Sequence, residues 1–129
     1  MIKRMKKLKG AEKEGIPPRL WGQREAKIGI IGFGSTLGSI VEAMKALHKK
    51  GIQSKFLQMR TLWPFPSREV SRFLAGCQKA FVVENNFTGQ LSRLLRSQIE
   101  PGPKIRSILK FSSQAFKSQE IVKEIEKAL

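Results

Sequence analysis

Four times along this 129-residue chain a short apolar run gives way to a stretch whose large aliphatic side chains recur at intervals of three and four. That alternation allows few architectures. Ile28-Gly29-Ile30-Ile31-Gly32-Phe33 is apolar on both faces, as a central parallel strand must be. Leu37, Ile40, Val41, Met44 and Leu47 then fall on one face of a helix, which Gly51 closes behind His48, Lys49 and Lys50, where positive charge suits the helix dipole. A second strand is predicted from about Ser54 to Met59, with Ser67 capping a short helix that turns Val70, Phe73 and Leu74 inward before Gly76. Lys79 to Glu84 reads as a third strand, followed by a helix with Leu91, Leu94, Leu95 and Ile99 on its buried face, closed by Pro101-Gly102-Pro103. Ile105 to Phe111 reads as a fourth strand, and Ser118 caps a last helix with Ile121, Val122, Ile125 and Leu129 inward. Strand and helix repeated with short links predict an α/β fold, a three-layer open and mostly parallel sheet with helices on both faces.

The first 26 residues follow a different rule. Ile2, Met5 and Leu8 stand three apart in a lysine-rich segment, a narrow helical stripe that Gly15-Ile16-Pro17-Pro18 breaks. Residues 1–26 are therefore expected to be a basic helix and proline-containing linker arm, and residues 27–129 the α/β domain. No apolar run approaches the roughly 20 residues that span a bilayer. Ala11-Glu12-Lys13-Glu14 stands where a secretory signal would be apolar, so a soluble cytoplasmic protein is expected.

Absences narrow the chemistry. Cys77 is the one cysteine, His48 the one histidine, and aspartate does not occur. One thiol and one imidazole cannot build a zinc or iron–sulfur site, and a missing aspartate removes Ser-His-Asp triads and weakens any magnesium site. His48 reads as dipole compensation, and Cys77, with no histidine or helix start beside it, as structural. The net charge of +15 suggests a polyanion partner. Against that, five of the first nine residues are basic, many others are read onto outer helix faces, and no basic strand carries stacking aromatics. A nucleic-acid-binding module is the least favoured reading.

In a sheet of this kind every strand-to-helix loop lies at the carboxyl edge of the strands, where ligands and partners approach. The unusual residues fall there three times. After the first strand come Gly34, Ser35 and Thr36, whose glycine-rich approach and helix-start position suit either an anion or a plain cap. The spacing Gly-x-Gly-x-x-x-Gly departs from the dinucleotide pattern, and Met59-Arg60 offers no ribose-binding acid. A phosphate-, nucleotide- or CoA-binding domain stands as the runner-up. After the second strand, Arg60-Thr61-Leu62-Trp63-Pro64-Phe65-Pro66 places Trp63 and Phe65 either against a partner or back over the domain's own core. After the third come Glu84, Asn85, Asn86, Thr88, Gly89 and Gln90. Arg60 is expected to pair with Glu84, the asparagines to turn the chain, and Thr88 to cap the next helix, leaving Gln90 without a role.

Taken together, Gly32-Phe33-Gly34-Ser35-Thr36, Leu62-Trp63-Pro64-Phe65-Pro66 and Val83-Glu84-Asn85-Asn86-Phe87-Thr88-Gly89-Gln90-Leu91 resemble the α subunit of 2-oxoacid:ferredoxin oxidoreductases, in its transketolase C-terminal-like domain. The likeness extends to Lys3-Arg4-Met5-Lys6-Lys7-Leu8, Ile16-Pro17-Pro18 and the segment from Phe116 to Ile121, and is nearest to the 2-oxoglutarate branch. Phe111-Ser112-Ser113-Gln114-Ala115-Phe116 lacks the Asp-Gly pair and proline often seen there. The resemblance implies a complete enzyme that uses thiamine diphosphate with magnesium, an iron–sulfur cluster and CoA. It implies partners too: the thiamine-binding part of the α subunit and the β subunit. This chain would be a non-catalytic assembly domain, inactive alone, with Gly34, Ser35, Thr36, Arg60, Trp63, Phe65, Glu84, Asn85, Asn86, Thr88, Gly89 and Gln90 at its partner or anion contacts. A homodimer stays open, and no membrane partner is expected.

Overall fold

The computed structural model describes residues 16–33, 36–60, 65–84, 90–98, 105–109 and 117–129. The elements follow the chain as β1 (Arg19–Gly22), β2 (Ile28–Phe33), α1 (Leu37–Lys49), β3 (Ser54–Met59), α2 (Ser67–Ala75), β4 (Lys79–Glu84), α3 (Gln90–Gln98), β5 (Ile105–Leu109) and α4 (Ser118–Ala128). They build one sheet in the order β1-β3-β2-β4-β5, in which β2 to β5 run parallel and β1 runs antiparallel to β3. The predicted α/β architecture is the one observed.

Because β2 lies between β3 and β4, its two faces need separate covers. Ile30, Phe56, Phe81 and Val83 pack under α1 and α4, joined by Ile40, Leu47, Ile121 and Ile125. On the other face Ile31, Leu57 and Val82 meet Val70, Phe73 and Leu74 of α2 and Leu91 and Leu95 of α3. Each large side chain removed from water in this way contributes about 1.5–3 kcal/mol before entropy is charged against it. Successive residues of a strand point to opposite faces, so the unbroken apolar run of β2 serves both cores at once.

Three details depart from the sequence reading. Arg19–Gly22 lies within the predicted linker, yet it adds an edge strand to β3. Trp21 anchors it, packing toward the α1 side and donating its indole N–H to Gln58 Oε1 at 3.1 Å, with the Arg19 guanidinium 4.4 Å from its ring. Four residues without a period-2 apolar pattern carry little strand signal, and the antiparallel pairing is settled by these side-chain contacts. Ser67 and Ser118 begin their helices rather than cap them: Pro66 and Lys117 occupy the cap positions, and the Glu120 carboxylate accepts the Lys117 backbone N–H at 2.8 Å. Leu129, expected inward, is 55% exposed because it lies beyond the last turn of α4. Ile99, the Pro101-Gly102-Pro103 closure, Phe111 and the stripe of Ile2, Met5 and Leu8 lie outside the described residues. Among the described residues no helix is long and apolar enough to cross a membrane.

Gly29 explains how closely α2 approaches the sheet. A Cβ there would lie 2.5 Å from Cys77 Sγ and 2.8 Å from Phe73 Cε2. Gly29→Ala is expected to destabilise the domain by about 1–3 kcal/mol through this overlap, read as a lowered midpoint in urea unfolding; an unchanged midpoint would mean that the helix can move away freely.

Candidate functional site at the carboxyl edge of the sheet

β2, β3 and β4 deliver Phe33, Arg60 and Glu84 to one edge of the sheet. Phe33 stands opposite Met59, and Arg60 follows Met59 at the same end of the sheet. Phe33 is 41% exposed and Arg60 is exposed, which puts an aromatic ring and a guanidinium at the carboxyl ends of the central strand β2 and its neighbour β3. The sequence reads Phe33 as the end of an apolar strand. By strand alternation it shares the α2 side with Ile31 and Met59 but is not part of the packed core there, and only the tertiary structure reveals that it stands exposed.

Glu84 does something else. It is 5% exposed, and its carboxylate accepts the backbone N–H groups of Leu91 and Ser92, the latter at 3.1 Å. These are the second and third residues of α3, whose first turn has no acidic residue of its own. An α-helix leaves its first N–H groups unpaired and carries partial positive charge at that end. The strand therefore supplies the cap from across the loop. The expected Arg60–Glu84 pair is absent: among the described residues no ion pair joins them. β2 lies between β3 and β4, so the two residues end non-adjacent strands, and the Glu84 charge is satisfied by α3 instead.

A second buried charge works in the opposite sense. Lys55, 3% exposed, donates from Nζ to the Phe73 carbonyl at 3.2 Å and to the Arg24 carbonyl at 3.4 Å, with the ammonium 4.7 Å from the Phe73 ring centre. Phe73 lies in the last turn of α2, where carbonyls are unpaired and a cation is favourable. Sequence reading missed Lys55; its signal was a lysine next to the apolar Phe56-Leu57 pair of a predicted strand. Cys77 is buried, and its S–H donates to the same carbonyl at 3.2 Å, consistent with its structural assignment.

The remaining candidates divide. Thr36 is buried at the N-cap of α1 with no side-chain capping bond; its hydroxyl donates back to the Phe33 carbonyl at 3.3 Å. That bond occupies the one hydroxyl proton a phosphate would need from it. Phe65 is half-buried and packs on the α2-side core, so for this residue the intramolecular placement holds. Gln90 is the first residue of α3. Gly34, Ser35, Trp63, Asn85, Asn86, Thr88 and Gly89 lie outside the described residues. An open groove of about 640 Å³ lies elsewhere, beside α1, lined among others by Trp21, Met44, His48, Lys49 and Ser54. Ser54 begins β3, at the sheet edge opposite the one where Glu84 ends β4. Among the described residues no group of three or more His, Cys, Asp or Glu side chains is placed to hold a metal ion.

Comparison with known proteins gives this arrangement a context. The family described as "Pyruvate:ferredoxin oxidoreductase core domain II" matches residues 26–121. The α subunit of 2-oxoacid:ferredoxin oxidoreductase 2 from Aeropyrum pernix is 38% identical over 133 residues, a match that takes in 100% of this chain and 20% of the relative. The structure of 2-oxoglutarate:ferredoxin oxidoreductase from Magnetococcus marinus, with 2-oxoglutarate, coenzyme A and succinyl-CoA bound, superposes with a TM-score of 0.82 at 32% identity over 97% of this chain and 22% of that one. A split-gene transketolase, described as an inactive tetramer, shares the fold at 18% identity and a TM-score of 0.67 over 86% of this chain and 41% of that one. The chain thus spans about a fifth of the length of the oxidoreductase relatives it matches.

Replacing Glu84 with Ala removes an acceptor shared by two helix N–H groups in a buried place. The variant is expected to lose about 2 kcal/mol of stability, and Glu84→Gln, which keeps one acceptor oxygen but not the charge, to lose less. Urea unfolding of the three proteins gives the order; equal stability of wild type and Glu84→Ala would rule out the capping role.

Proposed function

This chain belongs to the pyruvate:ferredoxin oxidoreductase core domain II family, and from that premise we propose that it is a non-catalytic assembly domain of a thiamine-dependent 2-oxoacid:ferredoxin oxidoreductase. The observation that carries the reading is the carboxyl edge. Phe33 and Arg60 stand exposed at the carboxyl ends of the central strand β2 and its neighbour β3. An exposed aromatic ring and an exposed arginine at one edge are residue types that anchor protein interfaces. The partners are the thiamine-binding part of the α subunit and the β subunit, in the cytoplasm, and the substrate class is a 2-oxoacid, with 2-oxoglutarate favoured by the likeness to the Magnetococcus marinus enzyme.

Thiamine diphosphate with magnesium, an iron–sulfur cluster and CoA belong, on this reading, to the rest of the complex. The residues of this chain do not fit the first two. Aspartate is missing from the sequence, and the one cysteine is buried with its S–H donated to the Phe73 carbonyl. No chemical step is therefore assigned to this domain; its work is to hold other parts in place.

The test is association. The full chain, mixed with separately produced thiamine-binding α and β polypeptides, is expected to co-elute with them and to turn over no 2-oxoacid alone. Phe33→Ala and Trp63→Ala should each weaken binding by roughly tenfold or more, as loss of an aromatic anchor does, with little change in thermal midpoint. Wild-type chain that fails to associate, or turnover by the isolated chain, would overturn the assignment; a large midpoint loss in Trp63→Ala would place that ring in the core instead.

A further inference from the structure

The two helical layers carry their charge in different ways. α1 and α4 together hold four lysines, four glutamates and no arginine. Those charges meet one another: Lys45 lies 3.5 Å from Glu42, Lys127 lies 3.4 Å from Glu124, and Lys50, at the end of α1, reaches Glu126 of α4 at 2.7 Å. α2 and α3 hold four arginines, Arg68, Arg72, Arg93 and Arg96, one glutamate, Glu69, and no lysine. All four arginines are exposed. Among the described residues none of them is in an ion pair; Arg96 alone is tethered, by a 3.2 Å bond from Nη2 to the Ile105 carbonyl.

This division is chemical as well as electrostatic. A lysine ammonium is strongly hydrated and suits a surface that stays wet, whereas the planar guanidinium is more weakly hydrated and grips a carboxylate with two parallel N–H bonds. Protein interfaces are accordingly enriched in arginine and depleted in lysine. The α1/α4 layer has the composition of a solvent face, and the α2/α3 layer that of a face awaiting anions. Apolar surface borders it too. Leu20 of β1 stands opposite Leu57, which belongs to the α2-side core, and Leu20 is 37% exposed.

We propose that the outer face of α2 and α3 is a second docking surface, on which Arg68, Arg72 and Arg93 grip a carboxylate-rich surface elsewhere in the same oxidoreductase. The proposal rests on the assembly reading above and adds to it a face distinct from the carboxyl edge. The occupant follows from charge complementarity and from length: this chain corresponds to 20% of an α subunit such as the Aeropyrum pernix relative, and the rest of such a subunit has to be held. A nucleic acid fits the face less well. Glu69 interrupts the row between Arg68 and Arg72, and the aromatic of α2, Phe73, is buried and offers no base a stacking surface.

Two triple variants of the full chain test this. Arg68→Gln/Arg72→Gln/Arg93→Gln neutralises the proposed face, and Lys45→Gln/Lys49→Gln/Lys123→Gln removes the same charge from the opposite layer. Affinity for the thiamine-binding α and β polypeptides is measured at low and high salt, with circular dichroism confirming that each variant is folded. The arginine triple is expected to bind about tenfold more weakly at low salt and to lose most of the salt dependence, as expected when charges that guide and hold a complex are removed. The lysine triple should stay close to wild type, and an arginine-to-lysine triple should recover part of the loss. Wild-type affinity in the arginine triple would overturn the proposal, as would equal losses in the two triples, which would indicate bulk charge, or tighter arginine-dependent binding to a DNA duplex. If the arginine triple binds normally while Trp63→Ala does not, this face is wrong and the carboxyl-edge assignment stands; if wild-type chain binds neither polypeptide, both fail.

Discussion

A strand that is apolar on both faces has to be covered twice, and in this domain everything else follows from satisfying that demand at β2. Ile30 and Ile31, adjacent in sequence and fully buried, belong to different cores. The chain meets the requirement by stepping to β3 on one side and to β4 on the other, with α1 and α4 on one face and α2 and α3 on the other. β2, β3 and β4 run parallel, which is why the residues ending them share one edge. The position of the candidate site is thus a by-product of covering the sheet.

Two buried ions tie helices to this framework. Glu84 ends a strand and begins a helix electrostatically, through the N–H groups of Leu91 and Ser92. Lys55 does the converse at the carbonyl end of α2. Each charge is costly out of water unless its hydrogen-bonding capacity is met, and each is met in part by backbone groups that helix formation leaves unpaired, Lys55 also by the Arg24 carbonyl. Charge and helix end therefore satisfy one another, and the strand position fixes where the helix starts or stops. For Glu84 this fixes the departure point of the loop that carries Asn85 and Asn86.

The chain belongs to the oxidoreductase domain II family and shares its fold with a split-gene transketolase, and it matches only part of the longer chains to which it is similar. On the assembly reading, one docking surface is the carboxyl edge with Phe33 and Arg60 and another the arginine-bearing layer of α2 and α3. Lysine–glutamate pairs close the charge of the remaining layer on itself.

Local spacing was enough to read strands β2 to β5 and all four helices of the described residues, because periods of two and between three and four reflect backbone geometry directly. It also marked the three carboxyl-edge loops, since glycine, proline and asparagine interrupt those periods. What local spacing could not carry was adjacency. The Arg60–Glu84 pair failed because the order β3-β2-β4 is a property of the folded sheet, in which neighbours along the chain need not be neighbours in space. The β1 strand, the cap that Glu84 gives α3 and the Lys55 anchor all depend on groups brought together across 7 to 37 positions of sequence. The sequence by itself determined strands β2 to β5 and the four helices; only tertiary packing decided the β1 edge strand and which charges meet, because Coulomb and hydrogen-bond energies act through distance in space and not through position along the chain.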